Sequence, residues 1–97
     1  MIKHVILWKL KPEYNRNDVK TGIKEGLEGL LGVIPGLTEI TVRTEGLPSS
    51  TADVMLDSTF ESAEALKGYS KNPAHVAVAD TRVRPFVETR LCLDFEI

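Results

Sequence analysis

The chain is poor in cysteine, in net charge and in long apolar runs, and each shortage excludes a class of protein. One cysteine, Cys92, stands among 97 residues. It cannot close an internal disulfide, so a stapled secreted scaffold is excluded and a reducing, cytoplasmic setting is expected. Twelve Lys and Arg against fourteen Asp and Glu leave a formal charge of −2. Without a basic field nothing neutralises a phosphate backbone, and no nucleic-acid partner is expected. The opening apolar run, Val5-Ile6-Leu7-Trp8, lies between lysines and is too short for a signal-peptide core or a membrane span. No membrane partner is expected. What is present is an ordinary globular balance, 42% apolar and 27% charged, at a length that allows one domain over residues 1–97. So short a chain buries a modest share of its surface, and a core shared with a second subunit would help it.

Turn-forming and helix-breaking residues divide the chain cleanly. Ile2 to Leu10, rich in Val, Ile, Leu and Trp, reads as a strand that stops before Lys11-Pro12. Asn15 or Asn17 is expected to cap a helix running to about Val33, ahead of Pro35-Gly36. In it Val19, Ile23, Leu27, Leu30, Leu31 and Ile34 fall on one apolar face. Leu37–Glu45 and Val54–Phe60 read as the second and third strands, separated by the loop Gly46-Leu47-Pro48-Ser49-Ser50. Ser62 caps a short helix with Ala63, Leu66 and Tyr69 inward; Asn72-Pro73 ends it and starts another that runs to about Arg84. Arg90 to Phe95 is the fourth strand. The order strand, helix, strand, strand, helix, strand predicts an α+β fold of the ferredoxin-like, split βαβ kind. Its four-stranded antiparallel sheet carries helices on one face.

Strand parity then sorts the two faces. His4, Ile6 and Trp8 point one way and Val5 and Leu7 the other, while Arg90, Cys92 and Asp94 oppose Leu91, Leu93 and Phe95. A sheet covered on one side only should be polar on the other, yet the first and last strands keep apolar residues there. A second copy packed sheet to sheet about a two-fold axis would cover them, so a homodimer through the second face, a dimeric α/β barrel, is expected.

Met1-Ile2-Lys3-His4-Val5, Ile34-Pro35-Gly36-Leu37, Thr59-Phe60-Glu61-Ser62, Tyr69 followed by Asn72-Pro73-Ala74-His75-Val76, and Leu93-Asp94-Phe95 occur in this order. Together they resemble the stress-responsive A/B-barrel (Dabb) family over nearly the whole chain. The resemblance implies a ferredoxin-like protomer and a homodimer whose sheets form a barrel, with a stress association and no required cofactor or metal. It also implies a likeness to a plant branch that cyclises polyketides without a cofactor, using a Tyr and a His that match Tyr69 and His75. Where the family often has His-Pro-x-His, this chain has Asn72-Pro73-Ala74-His75. That branch also sets bulky aromatics along the first helix, where Gly22, Gly26 and Gly29 stand here.

Polar groups are expected to converge between sheet and helices: His4, Asp94, Cys92, Arg90 and Ser58 from the strands, Tyr69 and His75 from the helices. The expected pocket consists of His4, Ile6, Trp8, Leu56, Ser58, Leu66 and Asp94, and would hold a small, largely apolar ligand. His75, in a first helical turn, should be neutral near pH 7 because the helix dipole opposes its charge. A neutral imidazole beside a phenol suits removal of a proton next to a carbonyl, with Tyr69 as donor to the oxygen and Asp94 or His4 holding the imidazole. An oxygenase of the kind found on other dimeric ferredoxin-like barrels is the fold-level alternative. His4, His75 and Asp94 lack metal-ligand spacing, so no metal is expected and a His4–Asp94 hydrogen bond is the expected use. Cys92 is expected to be a small buried hydrophobe. The glycines at 22, 26 and 29 are expected to allow close packing against Trp8 or room for a ligand, and Asp80 and Arg84 to pair at i, i+4.

Overall fold

The computed structural model describes residues 1–97. Strands β1 (Ile2–Leu10), β2 (Leu37–Arg43), β3 (Val54–Phe60) and β4 (Val87–Glu96) and helices α1 (Asn17–Glu28), α2 (Ala63–Lys71) and α3 (Pro73–Val78) follow in the order β1-α1-β2-β3-α2-α3-β4. The strands form one antiparallel sheet in the order β2-β3-β1-β4. This is the ferredoxin-like arrangement anticipated from element order. The period-two alternation of β1 works as expected: His4, Ile6, Trp8 and Leu10 are buried, and they pack with Val19, Ile23, Leu27, Leu56, Phe60 and Tyr69. No helix is long and apolar enough to cross a membrane.

Several boundaries differ from expectation, each for a local reason. Neither asparagine caps α1. Arg16 occupies the cap position, Asn17 is the first helical residue, and the Asn15 amide donates instead to Asp53 Oδ1 at 3.2 Å. The helix ends at Glu28 rather than Val33, because Gly29 and Gly32 follow and Gly32 turns to φ +85°. Leu30 and Ile34 still reach the core, but Leu31 is exposed and not on the apolar face. β2 stops at Arg43, short of Glu45, and β4 begins at Val87, where Leu10 pairs with it after a bulge. Beyond α3 the chain widens into a π turn over Ala79–Val83 and a 3-10 turn over Arg84–Phe86, in place of one continuous helix. The glycines of α1 do not meet Trp8. A methyl group on Gly26 would come within 2.9 Å of Val78 Cγ1 and 2.7 Å of Arg82 Cδ, so this glycine lets α1 lie against the π turn. Gly29 lies just past the helix, and nothing is within 4 Å of the side-chain position of Gly22.

Gly36 opens β2 with φ +81°, and a Cβ there would stand 2.5 Å from Ala65 Cβ of α2. Gly36→Ala is therefore expected to cost about 2 kcal/mol or more, from the left-handed backbone and the clash together. Gly32→Ala, with the same backbone strain and open space around it, should cost about 1 kcal/mol. Urea unfolding of the two variants measures the difference; equal losses would mean that α2 yields freely.

Candidate functional site

Tyr69 sits in the last turn of α2 and His75 in the first turn of α3, on either side of Asn72. In one unbroken helix, six residues apart, their side chains would point about 120° away from each other. The break prevents that. Asn72 is extended (ψ 128°), its Oδ1 accepts from the Ala74 amide at 2.9 Å, and Pro73 follows at the first helical position. Ser62 caps the start of α2 in the same way, accepting from the Ala65 amide at 3.1 Å. The bend brings the rings of Tyr69 and His75 to 4.0 Å between centroids, tilted by 34°. His4, from the centre of the sheet, meets Tyr69 edge-on at 6.0 Å.

These residues line a cavity of about 270 Å³ between sheet and helices. That is the small end of ligand pockets, which start at about 300 Å³. Of the residues expected there, His4, Ile6, Trp8 and Leu56 line it, together with Tyr69 and His75. Ser58, Leu66 and Asp94 stand outside the lining. Ser58 is fully buried and its hydroxyl donates to the His4 carbonyl at 2.8 Å, so it ties two strands together rather than facing a ligand. Leu66 packs against the edge of the core. Asp94 lies on the edge strand and accepts from His4 Nδ1 at 2.5 Å, the hydrogen bond anticipated from the pairing of β1 with β4. Leu27, Ser70, Ala79, Val83, Val87 and, above all, Arg84 line the cavity without having been expected there, and Arg90 lines it from the face on which strand parity placed it.

Three buried side-chain polar atoms have no hydrogen-bond partner: Tyr69 Oη, His75 Nδ1 and Thr59 Oγ1. Two of the three belong to the cavity pair. Neither Asp94 nor His4 holds the His75 imidazole, contrary to expectation, because Asp94 is engaged by His4 and His75 Nδ1 is unpartnered. Burial pushes the Tyr69 phenol up to about 12, against a smaller downward pull from Arg90. It remains a donor at neutral pH. Burial also lowers the pKa of His75, opposed by the Ser70 backbone and reinforced by the positive charge of Arg84 and Arg90. The neutral imidazole is as expected; its main cause is desolvation rather than the helix dipole.

Cys92 is exposed, not a buried hydrophobe. Burial of its sulfur and then the Asp94 carboxylate raise the thiol pKa, which leaves it a poor nucleophile at neutral pH. His4 Nδ1, Cys92 Sγ and an Asp94 oxygen lie within 4.8 Å of one another, a nitrogen, sulfur and oxygen set of the type that suits zinc. His75 is not part of it. The surface pair is as expected, with Arg84 donating to Asp80 Oδ1 at 2.5 Å.

The sequence pattern of the stress responsive A/B barrel domain matches residues 2–97. A dimeric protein of unknown function with a ferredoxin-like fold from Bacteroides fragilis is 30% identical and superposes with a TM-score of 0.90, over 99% of this chain and 95% of that one. A Dabb family protein from Mesorhizobium loti, 24% identical, superposes at 0.78 over 99% of this chain and 95% of its own. A hydroxynitrile lyase from Passiflora edulis shares the fold at 18% identity and a TM-score of 0.84, over 99% and 92%. No curated protein sequence matches. With the fold, the family pattern and these likenesses in agreement over almost every residue, this chain belongs to the stress responsive A/B barrel domain (Dabb) family.

Proposed function

We propose that the chain is a homodimer whose protomers each bind a small, largely apolar carbonyl compound between sheet and helices. The observation that carries this reading is the unpartnered Tyr69 hydroxyl and His75 Nδ1 on residues that line one cavity. A buried polar group without a partner costs about 1–3 kcal/mol. A ligand carbonyl oxygen is the acceptor that a protonated Tyr69 lacks. The rest of the wall is mostly aliphatic and aromatic, which suits an apolar body. Support for the dimer comes from the open sheet face, where Leu91 and Leu93 are each 65% exposed and Phe95 41%, and from the Bacteroides fragilis relative described as dimeric.

The same pair favours a second reading, a cofactor-independent enzyme. A neutral His75 takes a proton from the carbon beside the carbonyl. The C–H electron pair moves to form an enolate, and Tyr69 donates a hydrogen bond to the oxygen as its charge develops. A 1,3-diketone with a phenyl end, incubated in deuterated buffer and followed by NMR, tests both readings. If the enzyme reading holds, His75→Ala slows α-proton exchange by about 10²-fold while binding persists. Equal exchange rates with and without His75, binding intact, leave the binder alone. Absence of binding by the wild type rejects both.

A further inference from the structure

Two guanidinium groups, Arg84 and Arg90, line this otherwise mostly apolar cavity, and no carboxylate does. That is notable in a chain whose net charge is −2. Arg90 rises from β4 opposite Trp8, its side chain forms no ion pair, and its one side-chain neighbour of note is the Cys92 thiol, which leaves most of its N–H donors free. Arg84 is anchored through one nitrogen by Asp80, which keeps its side chain in place at the cavity and leaves its other N–H donors free. Both arginines are exposed, whereas His4 and Tyr69 are buried. The cationic groups therefore stand at the mouth, and the phenol and imidazole at the inner end.

From this arrangement we propose that the carbonyl ligand is also a monocarboxylate, its carboxylate held at the mouth by Arg90 with Arg84 beside it, and its apolar body directed inward so that its carbonyl oxygen reaches Tyr69 and His75. The proposal rests on the cavity reading above and names its ligand class. Three features select a carboxylate. A guanidinium presents paired N–H donors that match two carboxylate oxygens. The charge is right: two arginines less Asp80 leave one positive charge, which a monoanion neutralises and a phosphate dianion exceeds. The space is small, about 270 Å³, which fits a short acid. The influence of both arginines on His75 and of Arg90 on Tyr69 is consistent with their standing over the same site.

Trp8 is the only tryptophan and lines the cavity, so its fluorescence reports occupancy directly. The probes are 3-benzoylpropionate, its methyl ester, its primary amide and phenacyl phosphate, titrated into the wild type, Arg90→Gln and Arg90→Lys. The acid should bind the wild type at least about ten-fold more tightly than the ester or amide. Arg90→Gln should bring the acid down to the level of the ester without changing ester binding, and Arg90→Lys should recover part of the preference. Equal affinity of acid and ester for the wild type, or a preference for the phosphate, overturns the carboxylate assignment and leaves the cavity reading standing. If no probe perturbs Trp8 in any of the three proteins, the cavity reading falls and the carboxylate assignment falls with it.

Discussion

Leu93→Glu is expected to convert the proposed dimer into a 10.7 kDa monomer, raising its dissociation constant by at least about 10³-fold. The outer face of the sheet explains the size of the effect. Its cross-strand rows run Leu91-Leu7-Met55-Arg43 and Leu93-Val5-Asp57-Thr41, apolar toward β4 and polar toward β2. Lys3 and Asp57 pair with each other at 2.7 Å on this face, whereas its apolar side chains toward β4 have nothing packed over them. A two-fold axis over the apolar half would bring each Leu93 against its twin's surface, so one substitution buries two unpaired carboxylates. Each costs several kcal/mol, and every 1.4 kcal/mol is a factor of ten in affinity. Thr41→Glu, at the polar end of the same row, should leave the assembly intact. Light scattering across a micromolar dilution series reads both variants. A wild type that already runs as a monomer, or a Leu93→Glu variant that remains dimeric, removes this face as the interface.

What could be read from the sequence followed the periodicity of the elements. A strand repeats every two residues, so once β1 and β4 are neighbours, His4, Asp94, Cys92 and Arg90 must share a face, as they do. The Asn72-Pro73 break fixed where Tyr69 and His75 sit, because a cap and a proline act locally. Reading failed where distant residues decide the outcome. Asn15 had the chemistry of a cap, but Asp53, thirty-eight positions away, takes its amide. Ser58 had the parity of a pocket residue, but the His4 carbonyl takes its hydroxyl. The long apolar series through Ile34 looked helical because Leu30 and Ile34 are indeed buried, yet two glycines let a turn achieve that burial without helix. Arg84 at the cavity mouth escaped for another reason: its i, i+4 pairing with Asp80 reads as a surface ion pair until the turn that carries both is placed against the cavity.

Tyr69→Phe separates stability from ligand binding more sharply than any other substitution at the site. A phenol that served the fold would lose stability with its hydroxyl. Here the hydroxyl is buried with no partner, so removing it should stabilise the protein without ligand by about 1 kcal/mol at pH 7. Affinity for a carbonyl probe should fall roughly ten-fold in the same variant. The sign of the pH dependence follows from the direction of the shift. Tyr69 holds its proton to about 12 when folded, whereas an unfolded chain releases it near 10. Between those values the folded state binds more protons, so wild-type stability falls as pH rises, by about 3 kcal/mol across the window. Tyr69→Phe abolishes that part of the alkaline loss. His75 produces the opposite slope on the acid side. Its pKa is lowered in the fold, so below about 6.5 the unfolded chain takes up the proton first and stability falls as pH falls, a loss that His75→Gln should remove. Urea midpoints of the wild type and both variants, measured from pH 5 to 12, test all of this together. A Tyr69→Phe protein less stable than wild type at pH 7 would show that the hydroxyl serves the fold, and the case for a carbonyl ligand would lose its main support.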